Sequence, residues 1–137
     1  MEKIQVKIGW SGNNYSCIAD NKALEGIIIV TNKTLEGIKK DFEESLQFHI
    51  EGCIHGGDKL PEWLISGKYV LEYVLETSAL LHRLDGILTR SAIARMSGIN
   101  ERQIGHYAAG IRNPRPIQRE KIVNAIHRIG KELVEVL

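Results

Sequence analysis

A glycine between two short helical patterns constrains this chain more than any other feature. Residues 90–97 and 100–109 each read as a short helix, and Gly98-Ile99 joins them. Gly98 sits where a tight turn needs positive φ, which glycine adopts without steric cost. Ala94 falls where the two helices would cross closely, and a larger side chain would push them apart. Ile93, Ile99 and Ile104 are spaced to fill the wedge between them, and Asn100 is a good N-cap for the second helix. Glu101, Arg102, Gln103 and His106 are left for the outer face. Ser97 stands where such helix pairs often carry an aliphatic residue.

That arrangement is the pattern of a helix-turn-helix unit, whose second helix enters the major groove with its N-terminal residues at the bases. Arg102 matches a bidentate contact to guanine, and Gln103 matches adenine or a phosphate. Glu101 either accepts from cytosine N4 or merely rejects wrong sequences. Asn100 heads the same surface, and His106 reaches a base or the backbone one turn further along. Arg90, at the start of the first helix, is expected at a phosphate. Arg112, Arg115 and Arg119 flank the following loop and are expected as backbone clamps. The plain alternative is an ordinary helical hairpin, with each arginine a solvated surface charge.

The charge distribution divides the chain near Glu76. Residues 1–76 hold eight lysines and no arginine against twelve carboxylates, a balance of −4. Residues 77–137 hold ten basic against five acidic side chains, a balance of +5. Opposite signs on two halves point to two partners. The basic half attracts a phosphate backbone by counterion release. The acidic half repels nucleic acid and is expected to meet itself or a basic protein. With 43% hydrophobic residues the chain can bury a core, which argues against disorder. The longest apolar run is too short to span a bilayer, and Met1 leads directly into a strand pattern. Cys17 and Cys53 are the two cysteines and show no CxxC spacing, which fits a reduced cytoplasm.

The first half reads as a small α+β unit. Ile4, Val6, Ile8 and Trp10 alternate with Lys3, Gln5 and Lys7, the period of a half-buried strand. Ser11-Gly12-Asn13-Asn14 is a turn cluster, so a hairpin partner is expected over residues 15–19. Residues 27–30 are continuous and β-branched, which predicts a central strand buried on both faces. Thr34 can cap a helix whose apolar positions are Leu35, Ile38, Phe42, Leu46 and Ile50. Residues 51–60 read as a glycine-rich loop, Pro61-Glu62-Trp63-Leu64 as a turn of helix, and residues 68–76 as a strand. The order is β-β-β-α-β.

The second half reads all-helical. Residues 78–84 form a linking helix, then come the two helices around Gly98. Asn113-Pro114-Arg115-Pro116 breaks the pattern, and Pro116 suits the first turn of a last helix. Ile117, Ile122, Ile126 and Ile129 give that helix its apolar stripe, and Gly130 is expected to bend it. Competing chemistry is weak. His49, Cys53 and His55 match no structural zinc spacing, so no metal is expected. Asp20, Asp41 and Asp58 are scattered and read as surface charge rather than a magnesium-binding cluster. Neither an enzyme nor a cofactor is expected.

The chain resembles the HicB-family antitoxins of type II toxin-antitoxin systems, in the subgroup with a C-terminal helix-turn-helix of XRE/Cro-like kind. The hairpin-strand-helix of residues 3–50, with Thr34-Leu35-Glu36, carries part of the likeness. Pro61-Glu62-Trp63-Leu64, the strand of residues 69–76 and Thr77-Ser78-Ala79-Leu80-Leu81, leading into the helix pair, carry the rest, with Asn113-Pro114-Arg115-Pro116 and Gly130-Lys131-Glu132-Leu133. The stretch Asp20-Asn21-Lys22-Ala23-Leu24-Glu25-Gly26 departs from the family's proline-rich loop. The resemblance implies a truncated RNase H-like domain over residues 1–76 that dimerises and covers a small basic HicA-type mRNA interferase. It implies a DNA-binding domain over residues 77–137 that represses the protein's own operon. A cytoplasmic homodimer or tetramer on an inverted-repeat operator is expected, with no membrane partner. The alternative is a stand-alone dimeric repressor whose first half only dimerises or senses a ligand.

Overall fold

The computed structural model describes residues 1–24 and 28–137, a mixed α+β architecture in two compact units, 1–76 and 77–137. The first unit holds β1 (Glu2–Trp10), β2 (Tyr15–Asp20), β3 (Ile29–Asn32), α1 (Leu35–Gly56), α2 (Glu62–Ile65) and β4 (Tyr69–Leu75). The second holds α3 (Thr77–Leu84), α4 (Arg90–Ser97), α5 (Glu101–Ala108) and α6 (Pro116–Val134). No helix among the described residues is long and apolar enough to cross a membrane.

The strands form one mixed sheet in the order β3-β2-β1-β4. β1 pairs antiparallel with β2 and parallel with β4, so Val6 faces both Ala19 and Tyr73. Alternation along β1 sends Ile4, Val6 and Ile8 to one face, where each is fully buried. That face packs on Ile38, Phe42, Leu46 and Ile50, the buried stripe of α1. Each such side chain contributes about 1.5–3 kcal/mol on leaving water. Trp10 meets Tyr15 edge-to-face at 5.0 Å and closes the hairpin end.

Two expectations for this unit are corrected. The predicted strand lies at the sheet edge, not its centre: among the described residues β3 pairs only with β2, and Ile29 is 64% exposed. A continuous apolar run does not tell a two-sided strand from an edge strand beside an overhanging helix. Residues 25–27, which include the predicted start of that strand at Ile27, lie outside the described residues. Second, α1 does not end at Ile50 but continues through the expected loop to Gly56. The stop comes at Gly57, whose φ of 75° forms a left-handed cap. The start of α1 is doubly braced. Thr34 accepts from the Gly37 amide, and Asn32 accepts from the Thr34 amide while donating to Asp41 at 2.8 Å. A Cβ on Gly37 would lie 2.6 Å from Thr34 Oγ1, so this wrapping of Asn32 and Thr34 requires glycine.

In the second unit Leu81, Ile93, Ile99, Ile104, Tyr107, Ala108 and Ile122 share one core. Pro116 opens α6, as expected. The stripe predicted for α6 is narrower than expected. Ile122 and Ala125 are buried, whereas Ile117 is 69% exposed. α6 runs through Gly130 to Val134.

Candidate functional site

The pair α4–α5 is built from local chemistry. Thr89 caps α4 by accepting from the Ala92 amide at 3.0 Å. Gly98 ends α4 with φ 77°, and its amide returns to the Ala94 carbonyl. Ser97, the residue that stood out in the sequence pattern, spans the turn. Its hydroxyl donates to the Ala94 carbonyl at 3.3 Å and accepts from the Ile99 amide at 3.2 Å. Asn100 then caps α5 by accepting from the Gln103 amide at 2.8 Å. Ile93, Ile99 and Ile104 are buried between the helices, and Ala94 packs against them.

The predicted site residues divide into two groups. Asn100, Glu101 and Arg102 are exposed at the head of α5, and Arg112 and Arg115 are exposed in and after the loop that follows. Glu101 lies in the first turn of α5, where a carboxylate suits the helix dipole. Gln103 and His106 are half-buried instead. Gln103 Nε2 donates to the Tyr107 hydroxyl at 3.0 Å. His106 Nδ1 is shielded from solvent and meets no hydrogen-bonding group among the described residues.

Arg90 and Arg119 are already engaged within the chain. Arg90 lies 3.7 Å from Asp85, with both side chains about half exposed, and its guanidinium passes beside Gly105. Arg119 donates to the hydroxyl of buried Thr77 at 2.9 Å. Arg119 therefore ties α6 to the start of α3. Sequence reasoning missed three partners: Tyr107, Asp85 and Thr77. The i,i+4 spacing of Gln103 and Tyr107 was a legible signal. The pairing of Thr77 with Arg119 bridges 42 positions and leaves no mark in sequence.

Elsewhere, His49 and Cys53 meet across one helical turn at 3.7 Å. No group of three His, Cys, Asp or Glu side chains suited to a metal occurs among the described residues. Burial pushes the Cys17 thiol up to about 11, with the Asp41 carboxylate adding to the shift and a hydrogen bond from the Val30 backbone opposing it. Set against models of known families, curated proteins and solved structures, the chain matches none.

Proposed function

We propose that this chain is an antitoxin of the HicB kind, which binds a small basic mRNA interferase through residues 1–76 and represses its own operon through residues 77–137. The observation that carries the DNA-binding arm is the α4–α5 pair. Its second helix is capped by Asn100 and presents Glu101 and Arg102 to solvent, with Gln103 beside them. This is the geometry a helix-turn-helix unit uses to read base edges. Exposed Arg112 and Arg115 supply phosphate contacts, and the +5 balance of this half favours them. Arg90 and Arg119 are assigned to holding the unit together rather than to DNA. A truncated RNase H-like reading of the first unit is supported by the order β3-β2-β1-β4, with β4 parallel to β1.

The test is a titration of the chain onto its own promoter fragment and onto random duplex. Arg102→Ala is expected to relax specificity at one base pair, costing about 1–3 kcal/mol on the specific site alone. Arg115→Ala should weaken binding to every duplex alike and flatten the salt dependence. Identical behaviour of the two variants on both duplexes would overturn this docking. The stand-alone repressor is the second reading. It is favoured by the stretch from Asp20 to Gly26, which lacks the family's prolines. Co-expression with the adjacent genes separates the two, because only the antitoxin retains a small basic protein.

A further inference from the structure

The sheet of the first unit is one strand narrower than the helix that covers it. β3 is an edge strand, and beyond its open side α1 overhangs with a second stripe of side chains: Asp41, Glu44, Ser45, Phe48 and Gly52. Together with Ile28–Thr31 and Asp58 these line an open groove of about 830 Å³. Phe48, on the α1 wall of the groove, is 80% exposed, and Ile29, which lies beside Ile18 on the other face of the sheet, is 64% exposed. The described lining of the groove contains three carboxylates and neither lysine nor arginine. The C-terminal carbonyls of α1 lie beside Asp58, whose amide returns to the Cys53 carbonyl, and they add negative potential at that end. Asp41 and Asp58, which read as scattered in sequence, thus meet on one surface.

We infer that this groove receives an extended basic segment of another polypeptide, which adds a fifth strand to β3 beneath the α1 overhang. An edge strand presents unpaired backbone donors and acceptors, and a peptide strand satisfies them. Alternate side chains of the added strand would face α1, where lysine or arginine stems cover Phe48 and their charges meet Asp41, Glu44 and Asp58, while the apolar side chains between them would lie beside Ile29 on the other face of the sheet. A second copy of this chain fits poorly. Pairing β3 with itself would bring the two sets of carboxylates toward each other, and like charges across an interface oppose association. The inference adds a surface to the antitoxin reading and rests on that reading only for the natural partner's identity.

The probe is a capped eight-residue peptide of alternating lysine and valine, titrated onto the full chain, with a glutamate-valine peptide as control. Saturable binding of the lysine peptide is expected, weakening steeply with salt. Alternate amides within Ile29–Asn32 should exchange more slowly with solvent when it is bound. Phe48→Ser and Glu44→Lys should each weaken binding at least tenfold; both side chains are exposed, so an unchanged melting temperature verifies the fold. The proposal is overturned by no saturable binding, by equal binding of the glutamate peptide, or by variants that bind like the parent. Self-association through β3 that Phe48→Ser abolishes would also overturn it, in favour of a second copy. A basic protein that co-purifies and stays bound to both variants would sink this groove and leave the antitoxin reading standing. Peptide binding without any co-purifying basic protein would do the reverse.

Discussion

Tyr107 is 4% exposed, so its ring belongs to the core, yet its hydroxyl holds Gln103 on the surface of α5 at 3.0 Å. Gln103 is thereby ordered before any ligand arrives, which spares part of the about 0.5–1.5 kcal/mol that fixing such a side chain costs on binding. Its second Nε2 hydrogen and its Oε1 remain for the two contacts that adenine offers. Tyr107→Phe keeps the ring and removes the tether. On the proposed operator it should lower discrimination at one base pair by about fivefold, the worth of one hydrogen bond. Affinity for random duplex should not change; an equal loss there would mean that Tyr107 plays no part in readout. Cys17 gives a second prediction at this scale. Its thiol titrates at about 11 against an ordinary 9.0, so its contribution to stability is whole below pH 9 and is lost as pH rises toward 11. Melting temperatures measured from pH 8 to 11 should fall over that window. At pH 8 a thiol reagent should label Cys53 well before Cys17, which is 2% exposed.

At the scale of elements, caps and glycines decide where helices stop. Gly98 at φ 77° is needed for the α4–α5 turn, although a Cβ there would meet nothing within 4 Å. Gly98→Val should therefore cost about 1–3 kcal/mol from backbone strain alone. Gly130 is the opposite case. It sits inside α6 with helical backbone and open space around it, so Gly130→Ala should stabilise by about 1 kcal/mol. Chemical denaturation of both variants checks the two signs together. These elements were legible because their signals are local: Thr89 and Asn100 accept from amides three positions on, and the Gly98 amide donates to the carbonyl four positions back. The end of α1 was not legible in the same way. Gly52 and Gly56 discourage helix, but Ile50, Cys53 and the left-handed cap at Gly57 carry α1 six residues further. Five of those six residues are exposed, so the stop is set by the left-handed cap at Gly57 rather than by burial.

For the molecule as a whole, the charge division at Glu76 coincides with the boundary between the two compact units. Binding of DNA by the basic unit should fall steeply between about 50 and 200 mM salt, by roughly 10³–10⁵ if six to ten phosphates are contacted. A salt-independent affinity would remove the phosphate contacts from the proposal. The sequence by itself determined the two-part division, the buried face of β1, the buried stripe of α1 and the wedge of Ile93, Ile99 and Ile104. Each depends on periodicity or on neighbours a few residues apart. Only tertiary structure decided that β3 is an edge, that Asp41, Glu44 and Asp58 share a groove, and that Arg90 and Arg119 are held by Asp85 and Thr77. The groove and the Thr77 tie join groups far apart along the chain. Asp85 and Arg90 stand five positions apart across a helix boundary, where no helical spacing predicts a contact. Which groups meet is set by how the elements pack, and no single element's pattern carries that information.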